Sequence, residues 1–495
     1  MKKTLSKLLC LLLVALMLSS LLVACSSDDK KDDTDAEQSV QETQPQEIIG
    51  TEEDPGLPPI DYNGYDFTFI TEEGTAYNTG YLIYDGEEAN VLDDAIYTRN
   101  SIIQDKYNIT INQFKVPDII TTVRTQVMGG ACEFDVILAS CSDLATMAQE
   151  NLLENLLEIE TFNWDKSYWD SNSKEQLMIG NKLYFTNCAL NIHTIGFCVF
   201  FNKQIIEDYQ LTSPYEYMAN NQWTIDNWSK LVTSISKDVN NDGNMTEVDM
   251  YGTLMEHHNP RMFLYASGFR ATTNDESGYP QITLFKESDK VVNLYEKLKQ
   301  VFINEECSYC MTCSDVQFDS ALYPHKYSYL RHLFTQDLYL FHYTSEGAMS
   351  SFAEMESEFG VVPFPKYDEF QEGYKTIYPY NNNLLAIPNV SEDLERTAII
   401  LEDMNYVSSF TVVPAWFDTL LTRRYARDNE SEESLHILRN NCVYDIGLYY
   451  NFGDLRSGIL DVDPRQSNIS RNYKRLEKAI KAHIKSIYGN YEEFK

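Results

Sequence analysis

The chain of 495 residues holds only five tryptophans and ten cysteines, and beyond residue 24 it contains no long uninterrupted apolar run. A membrane-spanning helix needs about 20 consecutive apolar residues, so nothing there suggests a polytopic helical membrane protein. Ten cysteines over this length are too sparse for the disulfide framework of a small stapled domain. Positive charge is scarce as well: 39 Lys and Arg stand against 75 Asp and Glu, for a formal net charge of −36. Such a surface repels phosphate backbones, and nucleic acid is not expected as a partner. Catalytic signatures are missing too. There is no G-x-S-x-G elbow, no H-E-x-x-H and no phosphate-binding P-loop. No pair of carboxylates is singled out by spacing for glycoside hydrolysis, and no enzyme activity is expected.

The most specific segment that is present lies at the start. Lys2, Lys3 and Lys7 precede the apolar run Leu8–Val23, which closes on Leu22-Val23-Ala24-Cys25. A positive flank, an apolar stretch and small residues before a break describe a secretory signal over residues 1–24. A cysteine placed directly after Leu-Val-Ala resembles the lipobox of bacterial lipoproteins. That resemblance implies that Cys25 becomes a lipidated N-terminus carrying acyl chains such as palmitate, on the extracytoplasmic face of the cell membrane. An uncleaved anchor helix is the alternative, but Ser26-Ser27-Asp28-Asp29 follows without a stop-transfer flank. Residues 26–58 hold eleven acids, two lysines and scattered Pro, Gln, Ser and Thr. That composition buries too little apolar surface to repay ordering, so 25–58 is expected to be a lipidated, disordered acidic tether. Most of the negative charge falls outside it, and the acidity belongs to the whole body.

From Asp61 onward the pattern alternates between strand and helix. Asp66–Thr71 alternates as a strand does, and Leu92, Ala95, Ile96, Ile103 and Tyr107 recur at helical spacing. Asn108–Phe114 reads as a strand, Ile119, Ile120, Val123 and Val127 as a helix ending at Gly129-Gly130, and Phe134–Ser140 as a buried parallel strand. Further strands are predicted at Lys182–Phe185, Phe197–Asn202, Leu338–His342, Gly360–Pro363 and Leu384–Pro388. Helices are predicted at Trp223–Lys237, Asp289–Phe302, Glu392–Ser409 and Tyr473–Tyr488. Strand–helix alternation argues for an α/β architecture with right-handed crossovers, in which ligands bind beyond the carboxyl ends of strands. Ser140-Cys141-Ser142-Asp143 is expected to be a loop at one such end.

Four local clusters invite chemistry. Asp238, Asn240, Asp242, Gly243, Asn244, Thr246 and Asp249 follow the twelve-residue calcium loop, with oxygen ligands at positions 1, 3 and 5 and the glycine at 6. Asp249 stands where a glutamate is usual, so a structural Ca2+ would be held weakly. The alternative is an Asn/Asp/Gly turn without an ion. Cys307, Cys310 and Cys313 are spaced C-x2-C-x2-C without a fourth cysteine nearby, which favours a local disulfide or free thiols over a metal. Glu256-His257-His258 is set aside as a metal site, because adjacent histidines point different ways on regular structure. Arg471, Lys474, Arg475, Lys478, Lys481 and Lys485 mark a solvated basic face on the last helix.

Together these features resemble the extracellular solute-binding lipoproteins of ABC transporters, in the carbohydrate-associated family 1 type and its long clostridial form. Asp135-Val-Ile-Leu-Ala-Ser140, Asn181-Lys-Leu-Tyr-Phe185 with Phe200-Phe201-Asn202-Lys203, Gly360-Val-Val-Pro-Phe-Pro365 and Leu384-Leu-Ala-Ile-Pro388 carry the resemblance. So do Tyr425-Ala-Arg-Asp428 and Val443-Tyr-Asp-Ile-Gly447. It implies a two-lobed α/β periplasmic-binding-protein-like fold of type II with hinge strands, lobe I being 59–186 plus 378–418 and lobe II 187–377 plus 419–495. The implied partners are a small-molecule sugar or oligosaccharide, permease subunits and, through the lipid, the membrane; a monomer is expected. The implied ligand-binding residues are Ser140, Ser142, Asp143, Asn191, His193, Trp169, Trp223, His342, Tyr343, Asn382, Tyr449 and Tyr450. A surface glycan-binding adhesin without transport, or a glycoside hydrolase, are the alternatives.

Overall fold

Four strands close the first sheet. They are β1 (Tyr65–Glu72), β2 (Ile109–Val116), β3 (Val136–Ser140) and, from much later in the chain, the strand Asn383–Ala386. The computed structural model describes residues 54–73, 82–83, 91–191, 196–256, 258–310, 316–353, 355–419, 426–463 and 468–494. Cys25, most of the tether and His193 lie outside the described residues. The remaining strands are β4 (Phe197–Asn202), β5 (Ser236–Lys237), β6 (Met250–Met255), β7 (Thr272–Asn274), β8 (Pro280–Ile282), β9 (Ser308–Cys310), β10 (Tyr339–Ser345), β11 (Phe359–Val362), β12 (Thr376–Ile377), β13 (the Asn383–Ala386 strand) and β14 (Cys442–Val443).

The first sheet has the order β13-β3-β1-β2, with β1 parallel to β2 and β3 and the returning β13 antiparallel to β3. The reason β3 lies inside is compositional: Val-Ile-Leu-Ala-Ser is buried at every position, as a parallel strand covered on both faces must be. The second sheet runs β11-β4-β10-β6-β5, with β9 also paired to β6. β10 is parallel to β6 and antiparallel to β4, so the carboxyl ends of β10 and β6 open on the same side.

Helices cover both sheets. Ile119–Gly129 starts where the Asp118 carboxylate accepts the Thr121 amide and stops at Gly130, whose φ of +80° costs a glycine little. Leu394–Phe410 lies against Val91–Tyr107, tied by the Tyr107 hydroxyl and Lys106, both on Asp403, at 2.9 and 2.7 Å. The chain then returns to the second sheet, where Ser431 accepts the Val361 amide at 3.0 Å. The long helix Ile469–Glu493 ends the fold, and its six basic residues are exposed. No described helix is long and apolar enough to cross a membrane.

Three local expectations change. Lys182–Phe185 makes only isolated bridges around Ile179, Lys182 and Thr186, with Asn155 taking the Leu183 amide in place of a neighbouring strand. The helix expected over Trp223–Lys237 is the shorter Ile225–Thr233, and Ser236–Lys237 pairs with β6. Ser140–Asp143 is a helix start: the Ser140 hydroxyl accepts the Asp143 amide and the helix runs Cys141–Gln149.

Candidate functional site

The carboxyl ends of β6 and β10 face the segment that leads into β13, and a cavity of about 150 Å³ lies there. Four elements supply its walls. β6 is followed by Glu256 and His258, then Arg261 at the start of helix Asn259–Ala266. Helix Lys326–Thr335 contributes Tyr327 and Arg331, and the end of β10 contributes His342 to Ser345. Pro379 to Asn382 form the side nearest the first sheet. That segment is pinned by the first-sheet helix start, since the Cys141 amide donates to the Asn382 carbonyl at 3.0 Å and the Ser142 amide to the Tyr380 carbonyl at 3.1 Å.

The cavity is polar and aromatic at once. Tyr380 is half-buried, with the Arg456 guanidinium 4.2 Å and the Arg261 guanidinium 5.0 Å from its ring centroid. Both are cation–π distances. Arg261 also pairs with Asp461. Glu256 is 8% exposed, its Oε2 accepts no hydrogen bond, and His258 Nδ1 stands 3.5 Å away. Burial pushes its carboxyl up to about 7, against the opposing fields of Lys326, Arg261 and Arg331. His342 is buried with neither ring nitrogen hydrogen-bonded. Burial first, and then Arg331, push its pKa down to about 3, so the imidazole stays neutral at physiological pH. Neutral imidazole offers one donor and one acceptor. Buried polar atoms without partners inside a cavity are what a ligand with hydroxyl groups would satisfy.

Of the residues expected to bind ligand, His342, Tyr343 and Asn382 are brought together on this cavity. Tyr343 is mostly committed inward, its hydroxyl accepting from Trp228 Nε1 at 3.0 Å and Thr253 at 2.7 Å. Ser140, Ser142 and Asp143 sit behind the 380–382 segment and bond one another, with Ser140 Oγ donating to Asp143 at 2.5 Å. Burial raises the Asp143 pKa, opposed by that hydrogen bond and by Arg456.

Five expectations are corrected by packing. Trp169 is interior, its indole nitrogen donating to Glu402 at 2.9 Å. Trp223 is fully buried and donates to the Pro363 carbonyl. Tyr449 gives its hydroxyl to the Tyr378 carbonyl, and Tyr450 pairs with the Tyr491 hydroxyl. Asn191 is buried on Asn187. For the two tryptophans and two tyrosines the polar atom a ligand would need is already taken inside the fold, and for Asn191 the side-chain amide nitrogen is.

Glu256, Arg261, Arg331, Tyr380 and Arg456 were not singled out as ligand residues by sequence. One signal was available: Glu256 directly follows the apolar strand Met250–Met255, and the carboxyl ends of parallel strands are where ligands gather.

The calcium loop is closed by its own hydrogen bonds. Asp238 accepts the Asn241 and Gly243 amides at 2.6 and 2.8 Å, and both Asp249 oxygens accept from Val239 or Thr246. The all-oxygen donor set and Gly243, with φ at +85°, suit calcium. Among the described residues, however, no three His, Cys, Asp or Glu side chains gather at metal-binding range. Cys310 is disulfide-bonded while Cys307 is a buried free thiol, so these two do not serve as a thiolate pair.

No family model matches the chain, and no curated protein matches it in sequence. Solved structures match it in shape. The galacto-N-biose/lacto-N-biose I-binding protein of a Bifidobacterium longum ABC transporter, in complex with lacto-N-biose, is 12% identical with a TM-score of 0.53, over 86% of this chain and 98% of that one. A sugar transporter protein from Rhizobium etli in an open conformation is 13% identical with a TM-score of 0.53, over 86% and 99%. The GacH receptor of Streptomyces glaucescens, solved unliganded and with acarbose, is 12% identical with a TM-score of 0.51, over 84% and 99%. The fold is that of a type II periplasmic solute-binding protein. The cavity lies between the second sheet and the segment feeding the first.

Proposed function

We propose that this chain is a lipid-anchored, extracytoplasmic substrate-binding protein that captures a sugar or oligosaccharide and delivers it to an ABC permease. The observation that carries the reading is the cavity of Glu256, Arg331, His342, Tyr380 and Asn382 at the carboxyl ends of β6 and β10. Hydroxyl-seeking side chains beside aromatic faces match the two surfaces of a sugar ring, and the structural neighbours named above were solved with or as sugar binders. The lobes of the proposal are 59–186 with 378–418, and 187–377 with 419–495. Ligand contacts to both would shift a hinge equilibrium toward the closed form that a permease reads.

The Leu22-Val23-Ala24-Cys25 run supports the anchor, and the acidic tether gives it reach. Labelled palmitate incorporated into the wild-type protein and lost in Cys25→Ser would test that part. The binding part is tested by thermal-shift screening of the purified chain against a glycan panel. Stabilisation by at least one saccharide is expected; stabilisation by peptides or other solutes alone would overturn the assignment.

A further inference from the structure

The cavity lining holds more basic than acidic side chains in a strongly acidic protein. Glu256 is the one acid among its lining residues, against the guanidinium groups of Arg261 and Arg331. Arg261 is neutralised by Asp461, and Glu256 has His258 beside it. Arg331 lines the same cavity, and among the described residues it has neither a hydrogen-bond nor an ion-pair partner. Its field reaches both Glu256 and His342. Apart from Glu256, no carboxylate lines the cavity to offset Arg331.

Arg331, half-buried and without a partner, is matched by an anion with two oxygens spaced to accept two N–H bonds from its guanidinium. Around it, Glu256 Oε2 and both nitrogens of His342 are buried without hydrogen bonds. These groups suit the hydroxyls of the sugar that carries the anion. Resting on the sugar-binding reading above, we propose that the saccharide taken by this cavity bears an anionic group, a ring carboxylate or a sulfate, seated on Arg331.

The test is titration calorimetry on the purified chain with uronate disaccharides, their methyl esters, and sulfated and neutral disaccharides of matched skeleton. An acidic saccharide is expected to bind at least about tenfold tighter than its neutral counterpart, with affinity falling as salt rises. The uronate and sulfate arms show which anion is recognised. Arg331→Gln should bring the acidic saccharide down to the level of the neutral one. Arg331→Lys, which keeps charge but loses the fork, should show an intermediate loss for the acid and little change for the neutral sugar, and it carries the test should the glutamine variant fold poorly. Equal or tighter binding of the neutral saccharide, insensitive to Arg331→Gln, overturns the anionic ligand while leaving sugar binding intact. Failure of every saccharide, charged or neutral, overturns the sugar-binding reading and this proposal with it.

Discussion

Replacing Glu256 by glutamine should make the ligand-free protein more stable in alkali and leave it nearly unchanged in acid. The carboxyl sits at the end of β6, 8% exposed, with an oxygen that accepts no hydrogen bond, and burial raises it from an ordinary 4.5 to about 7. The folded state therefore binds this proton more tightly than the unfolded chain does. The wild-type protein keeps the full benefit below pH 4.5 and loses it as pH climbs through 7. At about 1.4 kcal/mol per pKa unit, the loss amounts to about 3 kcal/mol. Glutamine mimics the protonated acid and has nothing to lose. Unfolding entropy of about 2 cal/mol/K per residue makes about 3 kcal/mol worth about 3 °C in a chain of this size. Scanning calorimetry of both proteins in matched buffers from pH 4.5 to 8.5 reads the gap directly. Any pH-independent packing cost of the amide cancels in the comparison. A Tm gap that stays constant across that range would show that Glu256 does not titrate near neutrality and would refute the reasoning.

Three further outcomes are expected. If the 238–249 loop takes calcium, chelator should lower the Tm of the wild-type protein and leave Asp242→Ala unaffected; identical melting curves with chelator and with added calcium would dismiss the ion. Asp445→Ala should cost at least about 3 kcal/mol in urea denaturation, because Ala271, Thr272 and Gly447 all donate to that buried carboxylate at 2.7 to 3.3 Å and would be left unsatisfied. A loss under about 1 kcal/mol would mean that water replaces it. Tyr343→Phe should cost about 1–3 kcal/mol by orphaning Trp228 Nε1 and the Thr253 hydroxyl, and adding Trp228→Phe to it should cost less than the two separately, as a double-mutant cycle would show.

Much of the first sheet was legible because its signals are local. Val136–Ser140 is uniformly apolar, Ile119–Gly129 carries an aspartate cap and a terminal glycine, and Phe197–Asn202 matches its expected bounds. Lys182–Phe185 failed for a non-local reason: its alternation is strand-like, but it reaches the β13 edge only through the single Thr186–Leu385 bridge, and the Leu183 amide is taken by the Asn155 side chain instead of a neighbouring strand. The site was half legible. His342 and Asn382, expected as ligand residues because the segments around them resemble those of a known family, line the cavity. Trp169, Trp223, Tyr449 and Tyr450 were misplaced because an aromatic with a polar tip reads the same in sequence whether its hydrogen bond goes to a ligand or to Glu402, Pro363, Tyr378 or Tyr491.

The sequence by itself determined the α/β class, the order of most strands and helices and the global acidity, since each depends on periodicity or charge along the chain. Only the tertiary structure decided which polar groups were left without partners. Glu256, Arg331, His342 and Tyr380 come from four separate elements, and their meeting depends on β6 and β10 running parallel while the 379–382 segment crosses back to the first sheet. Burial, not residue type, raises one carboxyl to about 7 and keeps one imidazole neutral. Burial is a property of the assembled layers, which no single segment contains.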